Sequence, residues 1–409
     1  MSNLVFSPLE LPNGKLLSNR LAKAAMDEGM ADANALPGQD MHRLYEAWAD
    51  GGTGLLITGN VMIDQGAMTG PGGVVLESST PLEPFRQWAK AGTKNGTQLW
   101  MQINHPGRQV YAALDGKTLS PSDVAIDLGK HSKLFSRPVP MSEHEIQDVI
   151  QRFVASAKNE EKAGFTGVQI HAAHGYLLSQ FLSPLINKRT DKWGGSLENR
   201  ARLLTETVKA IRKSLNKGTA VSVKLNSADF QRGGFDTNDA IEVVRLLNEL
   251  GVDLVELSGG SYESPAMQGR TADGRTLDRE AYFLEFAKVV AKVATMPVMT
   301  TGGIRRLAVA ERVLGEGVDV VGIGTALAFY PALPKMWHQD PKANADIPPV
   351  NWNDKTLASL ASLAMVARQF HRMGKGKLPK KNVSPLVTLI TSQIRQKRLT
   401  KRYRLKQAN

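Results

Sequence analysis

Two histidines and a tyrosine follow a short, largely apolar segment near the middle of the chain. His171 and His174 are three positions apart, and Tyr176 comes two residues later. A loop rich in Gly, Pro and Asn follows them, and then a helical pattern begins. Side chains at the C-terminal end of a buried strand can converge on a ligand, whereas mid-strand residues cannot. The arrangement predicts an active site.

Two imidazoles and a phenol suit the reduction of an alkene that is conjugated to a carbonyl group. That reaction requires hydrogen-bond donors for the developing enolate charge, a hydride source under the β-carbon and an acid for the α-carbon. A metal site is one alternative, but no carboxylate lies at a zinc-protease spacing from the histidines. Structural histidines are another alternative, although polar side chains at the mouth of a barrel are seldom structural.

Eight short apolar segments must position these residues, and amphipathic helical patterns separate them. This alternation predicts repeated β–α units. The predicted strands are Leu21–Met26, Gly54–Thr58, Gln98–Ile103, Val168–His171, Ala220–Leu225, Leu254–Leu257, Pro297–Thr301 and Val320–Ile323. The predicted helices include Met41–Asp50, Leu82–Lys94, Glu143–Ala163, Leu197–Leu215, Thr237–Leu250, Arg279–Ala294 and Leu307–Leu314.

Eight parallel strands interleaved with helices predict an α/β fold, specifically a (β/α)8 TIM barrel. A doubly wound sheet is the alternative, but Gly322–Leu327 lacks the third glycine of a dinucleotide fingerprint and comes late in the chain. The segment Leu4–Leu17, with Pro12-Asn13-Gly14 at its centre, predicts an N-terminal hairpin. Connections 59–75, 107–140 and 259–279 exceed ordinary loop lengths and are candidate lids or interface segments.

Composition narrows the class of protein. With 409 residues, of which 42% are hydrophobic, the chain can bury a sizeable core. It has no apolar run of membrane-spanning length and no secretory signal at its N-terminus, so a cytoplasmic protein is expected. It has no cysteine, which excludes disulfides and an iron–sulfur cluster held by thiolates.

The net charge of +12 comes from the C-terminal tail. Fourteen Lys and Arg residues and no acidic residue follow from Lys355 onward, which leaves 37 basic and 39 acidic residues before it. We therefore divide the chain into a barrel, residues 1–345, and a basic helical extension, residues 346–409. Nucleic-acid or anionic-membrane contact is one interpretation of this tail. A helix that docks on a neighbouring subunit of a homo-oligomer is favoured, because the body carries no accompanying basic excess.

The stretch from His171 to Arg200 resembles the old yellow enzyme family of FMN-dependent ene-reductases. The stretch is highly specific, and the similarity extends over residues 1–340. Further matching segments occur in the family's order: Asn19–Leu21 with Ala24–Met26, Gln102–Arg108, Lys224, Thr301–Gly303 and Gly322–Gly324. The glycine pairs alone would be weak evidence, because they also suit tight turns.

The resemblance implies FMN as the cofactor and NAD(P)H, either NADH or NADPH, as the reductant. It implies that His171 and His174 bind the substrate and that Tyr176 donates the proton. The cofactor-binding residues that it implies are Ala25, Met26, Asp27, Asn60, Gln102, Lys224, Gly302, Gly303, Gly324 and Thr325. In this set, Gln102 would bind the pyrimidine edge of the flavin, and Lys224 would face N1 and O2.

Two residues depart from the family pattern. Thr325 stands where many members have an arginine, so Arg305 or Arg306 is expected to supply the phosphate cation. Asp27 stands near flavin N5 and O4, where members usually have a small polar side chain or cysteine. Its carboxylate either faces the flavin or turns away to bond the backbone.

The sequence therefore predicts an FMN-dependent NAD(P)H oxidoreductase that reduces activated alkenes or quinones by a ping-pong mechanism. Other chemistry on the same barrel, oxidative demethylation or dehydrogenation, is the alternative among enzymes. A scaffold with a vestigial flavin site, whose tail binds nucleic acid or membrane, is the alternative outside enzymes. The complete set of His171, His174 and Tyr176 argues against that scaffold.

Overall fold

Eight parallel strands close into a barrel in this computed structural model, which describes residues 4–266 and 280–407. Each strand pairs with the next, and the last pairs with the first through Val321 and Leu21. The strands are β1 Leu21–Lys23, β2 Leu55–Ile57, β3 Gln98–Asn104, β4 Gly167–Ala172, β5 Ala220–Asn226, β6 Leu254–Ser258, β7 Val298–Thr300 and β8 Val320–Ile323. The predicted TIM barrel is confirmed.

Helices surround the barrel, and several begin at residues that satisfy their free N–H groups. Ser142 and Glu145 form a reciprocal capping box, while Ser196 and Asp236 accept N–H groups of the helices that they precede. The helices are α1 Gln39–Asp50, α2 Glu83–Gly92, α3 Glu143–Ala163, α4 Leu177–Leu182, α5 Leu197–Ser214, α6 Thr237–Asn248, α7 Leu284–Ala291, α8 Leu307–Gly315, α9 Thr325–Phe329, α10 Leu333–Gln339, α11 Lys355–Gly374 and α12 Pro385–Gln407.

Side chains along each strand alternate between the barrel interior and the surrounding helices. Outward residues join the helices in one large apolar core. Inward residues near the N-terminal ends of the strands form a second apolar cluster that includes Trp100. The N-terminal hairpin, Leu9–Glu10 paired with Leu16–Leu17, adds Leu11 and Leu17 to this cluster. The hairpin therefore plugs the bottom of the barrel, and the opposite end is left for polar side chains.

Most predicted bounds agree with the structure to within about two residues, and those of two elements differ by more. The first strand ends at Lys23 instead of Met26, so Ala24–Met26 form an irregular segment at the barrel mouth. The helix predicted from Arg279 begins at Leu284, and Glu280 before it accepts the backbone N–H groups of Arg305 and Arg306. Most of the predicted 259–279 connection lies outside the described residues.

The C-terminal extension packs on the barrel through α11. The ring of Phe370 contacts Trp48 of α1 edge-to-face at 5.4 Å between centroids. Met365 and Met373 join the same core as the outward strand residues. α12 then folds back along α11. Within the described ranges, no helix has both the length and the apolar character needed to cross a membrane.

Because Phe370 is fully buried in the shared core, we expect Phe370→Ala to destabilise the whole protein. The expected loss is about 3–5 kcal/mol in the free energy of unfolding, measured by urea titration. Leu363→Ala is the control, since Leu363 lies on the same helix and is 51% exposed. A Phe370→Ala protein in which the barrel unfolds at the wild-type urea concentration would show that the extension is an independent unit.

Candidate active site

His171, His174 and Tyr176 form one cluster at the C-terminal end of β4. His171 is the penultimate residue of the strand, and Tyr176 is the residue before α4. The ring centroid of His171 lies 5.0 Å from that of His174 and 4.9 Å from that of Tyr176. Both contacts are edge-to-face. The structure thus brings together the three residues that the sequence predicts to carry the chemistry.

Hydrogen bonds leave one nitrogen of each imidazole available. The backbone N–H of Ala173 donates to Nδ1 of His171 at 3.2 Å, so a neutral ring holds its proton on Nε2. Nε2 of His174 lies 2.8 Å from the hydroxyl of Ser258, which leaves Nδ1. Neither remaining nitrogen has a hydrogen-bond partner within residues 4–266 and 280–407. In the same part of the chain, no cluster of three His, Cys, Asp or Glu side chains is arranged to hold a metal.

The backbone at His174 is in the left-handed region, with φ of 61°. Such a conformation costs a non-glycine residue roughly 1–3 kcal/mol and persists only where the surroundings enforce it. Here the His174 N–H donates to the side-chain oxygen of Asn226 at 3.0 Å, and Gln109 donates to the His174 carbonyl at 3.0 Å. These two amides hold the loop in the conformation that turns His174 towards His171.

All three side chains are neutral near pH 7. Burial, reinforced by His174 and Lys224, lowers the pKa of His171 well below its usual value. Burial and Lys224 lower the pKa of His174 in the same way. Burial raises the pKa of Tyr176 well above its usual range, although the hydroxyl of Tyr262, 3.1 Å away, opposes that shift. The cluster therefore offers neutral N–H and O–H groups.

Below this cluster, four buried side chains form a connected polar layer across the barrel: Gln102, Gln169, Glu256 and Lys224. Gln102 donates to Gln169 at 2.7 Å, and Gln169 donates to Glu256 at 2.9 Å. The ammonium of Lys224 donates to the other Glu256 oxygen at 2.8 Å. Gln102 and Lys224 thus belong to one connected layer, in which Lys224 shares its charge with a carboxylate.

The mouth ends of β1 and β2 carry Ala25, Met26, Asp27 and Asn60. Asp27 and Asn60 line one small recess. The side chain of Asp27 reaches solvent, but many protein atoms lie near its carboxylate. One carboxylate oxygen accepts the Gly29 N–H at 2.9 Å. Restricted solvation, reinforced by the Glu28 carboxylate, raises the pKa of Asp27 to about 6. The aspartate is therefore close to half-ionised at a pH only slightly below neutrality.

The mouth ends of β7 and β8 lie side by side and carry Gly302, Gly303, Gly324 and Thr325. Side chains at Gly302 and Gly303 would collide with Tyr282, and both residues have positive φ. Thr325 is exposed at the first turn of α9.

The two arginines that the sequence predicts as phosphate cations are already paired. The guanidinium groups of Arg305 and Arg306 both bond the carboxylate of Glu280, at 3.2 and 2.7 Å. The backbone N–H groups of the same two residues also donate to that carboxylate. Glu280 therefore holds both candidates for the missing cationic contact and offsets one of their two positive charges.

These donors and acceptors fit a flavin mononucleotide. Gln102 uses its N–H on Gln169, so its oxygen remains available as an acceptor. Asn104, the next inward residue of β3, is fully buried, and neither polar atom of its amide has a partner among the described residues. Buried amides are normally satisfied, so an unpaired one beside the polar layer indicates a polar ligand. Among the described residues, the backbone N–H groups of Gly302, Gly303 and Gly324 have no acceptor, which suits a phosphate.

Sequence reasoning missed four residues of this site: Asn226, Ser258, Glu256 and Tyr262. Three of them carried a usable signal. Asn226 and Ser258 lie two positions after Lys224 and Glu256, so strand alternation places each pair on the same inward face. Glu256 was detectable as an acidic residue in an apolar strand. Tyr262 lies in a long loop and carried no comparable signal.

Fold and site together define a flavin-dependent oxidoreductase on a TIM barrel. The chain belongs to the NADH:flavin oxidoreductase / NADH oxidase family, whose model matches residues 4–343. The predicted membership of the old yellow enzyme family is thereby confirmed. The protein is an oxidoreductase that uses FMN, with NAD(P)H as reductant.

Two fungal relatives are similar over most of the chain. The NADH-dependent flavin oxidoreductase iliE of Neonectria sp. (strain DH2) is 37% identical over 375 residues, which cover 86% of this chain but 49% of that protein. This chain therefore spans about half the length of the Neonectria relative. The protein of the same name from Hypocrea jecorina (strain QM6a) is 35% identical, with 80% of this chain and 87% of the relative covered.

Solved structures of similar fold include a 2-naphthoyl-CoA reductase complex. It matches with a TM-score of 0.76 and 26% identity, and the match covers 83% of this chain and 53% of that one. The old yellow enzyme homologue from Zymomonas mobilis matches with a TM-score of 0.71 and 24% identity over 83% of this chain and 94% of that one.

We expect His171→Ala and His174→Ala to weaken binding of phenolate-type ligands, because each removes one donor to a bound oxygen. The loss of one such donor costs about 2.7–4 kcal/mol. Binding is measured from ligand-induced changes in flavin absorbance. His144→Ala is the control, since His144 is exposed on α3. Unchanged phenol affinity in both variants would rule out the two histidines as oxygen ligands.

The raised pKa of Asp27 predicts a pH-dependent effect on stability. The pKa of Asp27 is about 6 in the folded state and 3.8 in the unfolded state, so the folded state binds the proton more tightly. Ionisation of Asp27 therefore lowers the free energy of unfolding as the pH rises towards about 6. We expect the free energy of unfolding of Asp27→Asn, minus that of wild type, to increase when the pH is raised from 4.5 to 8. Both free energies are measured by urea unfolding.

Asp123→Asn is the control. Arg137 lowers the pKa of Asp123 below its ordinary value of 3.8, so Asp123 is largely ionised in both the folded and the unfolded state from pH 4.5 to 8, and the stability difference between this variant and wild type should stay nearly constant. A stability difference between Asp27→Asn and wild type that is constant across this pH range would mean that the pKa of Asp27 is unshifted.

Proposed function

We propose that the protein reduces alkenes conjugated to a carbonyl group, or quinones, in a ping-pong cycle with NAD(P)H. The observation that carries this proposal is a pair of neutral imidazoles in contact with each other, each with one free nitrogen, of which the His171 ring also contacts the neutral phenol ring of Tyr176. FMN bound at this site would supply the hydride-transfer chemistry that links NAD(P)H to the acceptor. The names of the fungal relatives support NADH as the reductant.

In this proposal, His171 and His174 bind the carbonyl oxygen of the acceptor. Negative charge develops on that oxygen as the alkene accepts a hydride, and preorganised N–H donors stabilise it. His171 can donate from Nε2 because Ala173 occupies Nδ1. His174 can donate from Nδ1 only if the hydroxyl of Ser258 donates to Nε2. Ser258 is therefore a positioning residue that selects the required tautomer.

Tyr176 is the proposed proton donor to the α-carbon. Its high pKa keeps the hydroxyl protonated, and the hydroxyl of Tyr262 lies within hydrogen-bonding distance at 3.1 Å. A phenolate formed at Tyr176 could accept a hydrogen bond from Tyr262, which would stabilise it at the moment of transfer. The pair of phenols is thus better suited to proton donation than an isolated tyrosine.

The residues proposed to hold FMN lie around the polar layer and the mouth. Gln102 and Lys224 would contact the pyrimidine edge, with the Lys224 charge moderated by Glu256. Ala25, Met26, Asp27 and Asn60 would contact the flavin at the ends of β1 and β2. The backbone of Gly302, Gly303, Gly324 and Thr325 would bind the phosphate.

The division at residues 345 and 346, the homo-oligomer and the cytoplasmic location stay predictions from the sequence.

We expect Tyr176→Phe to slow oxidation of the reduced enzyme by 2-cyclohexenone while reduction by NADH continues at a similar rate. A positioned acid contributes roughly 10²–10⁴-fold to such a step. The two half-reactions are measured separately by anaerobic stopped-flow absorbance. Tyr330→Phe is the control, because that hydroxyl bonds Asp346 away from the cluster. Equal slowing of both half-reactions would assign Tyr176 to flavin positioning instead.

A further inference from the structure

A short turn after β6 carries Tyr262, the second phenol of the site. The backbone N–H of Ser261 donates to the carbonyl of Ser264 at 2.9 Å and closes the turn. The hydroxyl oxygen of Ser261 accepts the N–H groups of Glu263 and Ser264 at 3.2 and 3.3 Å. We call residues 261–264 the β6 turn. Because its serine bonds tie the backbone into one unit, a contact that holds Glu263 also holds Tyr262.

Glu263 forms a buried ion pair with Arg108. Nη2 of Arg108 donates to one oxygen of the Glu263 carboxylate, and the two side chains are 3% and 10% exposed. The other carboxylate oxygen accepts the backbone N–H of Asp127 at 2.8 Å. Nη1 of Arg108 donates to the carbonyls of Ala125 and Val124 at 2.8 and 3.1 Å. The ion pair thus fastens the β6 turn to the long loop after β3.

Arg108 is also bonded to the segment that carries Tyr176. Its backbone N–H donates to the side-chain oxygen of Gln180 at 3.2 Å. The amide nitrogen of the same Gln180 side chain donates at 2.7 Å to the carbonyl of Gly175, the residue before Tyr176. Arg108 is therefore linked to Tyr176 through its backbone and to Tyr262 through its guanidinium, and the two hydroxyls lie 3.1 Å apart.

The distance between the two hydroxyls matters when Tyr176 gives up its proton. The proton and the electron pair of the enolate form the new C–H bond at the α-carbon, and the O–H pair stays on the Tyr176 oxygen. Tyr262 then donates a hydrogen bond to this phenolate. Hydrogen bonds to charged groups are stronger than those between neutral groups, and they weaken steeply when they are misaligned. The ease of proton donation therefore depends on where the β6 turn is held.

We propose that Arg108 and Glu263 are positioning residues for proton donation, because their ion pair sets the position of the Tyr262 hydroxyl relative to Tyr176. This inference rests on the proposed function. The ring centroid of Tyr262 also lies 5.9 Å from that of Phe135. Such an apolar contact is non-directional, whereas an ion pair with several hydrogen bonds fixes orientation as well as distance. The direction of the Tyr262 hydroxyl is therefore assigned to the ion pair.

A double-mutant cycle in the flavin-loaded enzyme tests whether Glu263 acts through the Tyr262 hydroxyl. Oxidation of the reduced enzyme by 2-cyclohexenone and reduction by NADH are followed separately by anaerobic stopped-flow absorbance. The proteins are wild type, Glu263→Gln, Tyr262→Phe and the double variant. We expect Glu263→Gln to slow the 2-cyclohexenone step by roughly 10-fold or more, because a hydrogen bond to a charged group is weakened. In the Tyr262→Phe background the same change should have no further effect, and reduction by NADH should keep its wild-type rate.

Arg137→Gln is the matched control, since it breaks an exposed ion pair with Asp123 in the same long loop. It should leave both steps unchanged. Arg108→Lys keeps the charge opposite Glu263 and should retain more of the 2-cyclohexenone rate than Arg108→Gln. If Glu263→Gln does not fold, Arg108→Lys replaces it in the cycle, and its effect should likewise disappear in the Tyr262→Phe background.

A purely structural ion pair gives a different result. Glu263→Gln would then slow both steps alike, or its effect on the 2-cyclohexenone step would be equally large with and without the Tyr262 hydroxyl. Either outcome would overturn the positioning role.

The position of Tyr262 is also measured without turnover. In protein labelled with 3-fluorotyrosine, the fluorine NMR resonance of Tyr262 is assigned by its absence from Tyr262→Phe. Glu263→Gln should shift this resonance, and Arg137→Gln should not. If the resonance shifts but Tyr176→Phe leaves the 2-cyclohexenone step unchanged, the proposed reaction is wrong and the ion pair still positions the tyrosine. If Tyr176→Phe slows that step but neither resonance nor rate responds to Glu263→Gln, the reaction stands and the positioning role is wrong.

Discussion

A lysine enclosed by eight strands requires a counter-charge, and this requirement organises the floor of the site. Lys224 and Glu256 satisfy each other at 2.8 Å on neighbouring strands. Removing one partner of such a buried pair typically costs about 3–5 kcal/mol, because the other charge is left unpaired. The second Glu256 oxygen binds Gln169, which in turn binds Gln102. One ion pair therefore sets the orientation of two amides across the barrel.

The polar layer also separates two environments within the same barrel. Below it, the hairpin and the lower strand residues form a dry apolar cluster around Trp100. Above it, the cation of Lys224 contributes to the low pKa of His171 and His174. The imidazoles are thus kept neutral by burial and by the same lysine that the layer holds in place. The chemistry at the mouth depends on a charge placed one layer deeper.

The sequence predicted the barrel well because buried parallel strands are short, apolar and punctuated by capped helices. It also predicted that His171, His174 and Tyr176 converge, since all three follow one strand end. It did not predict the partners of these residues. Ser258 and Asn226 become neighbours of His174 only when β4, β5 and β6 are adjacent. Contacts between different strands depend on register, which local patterns do not encode.

The long C-terminal tail illustrates a further limit of sequence patterns. Its uniform positive charge invites an interpretation based on net charge, such as binding to a polyanion or to a neighbouring subunit. In the folded chain, however, most of these cations are exposed, and exposed charges contribute little to docking. The inward face of α12 is instead marked by Leu399, which is buried, and by Tyr403, which packs on an apolar cluster of the loops after β2 and β3. Helical phase therefore decides which side chains of this helix face the protein, and a count of basic residues cannot identify them.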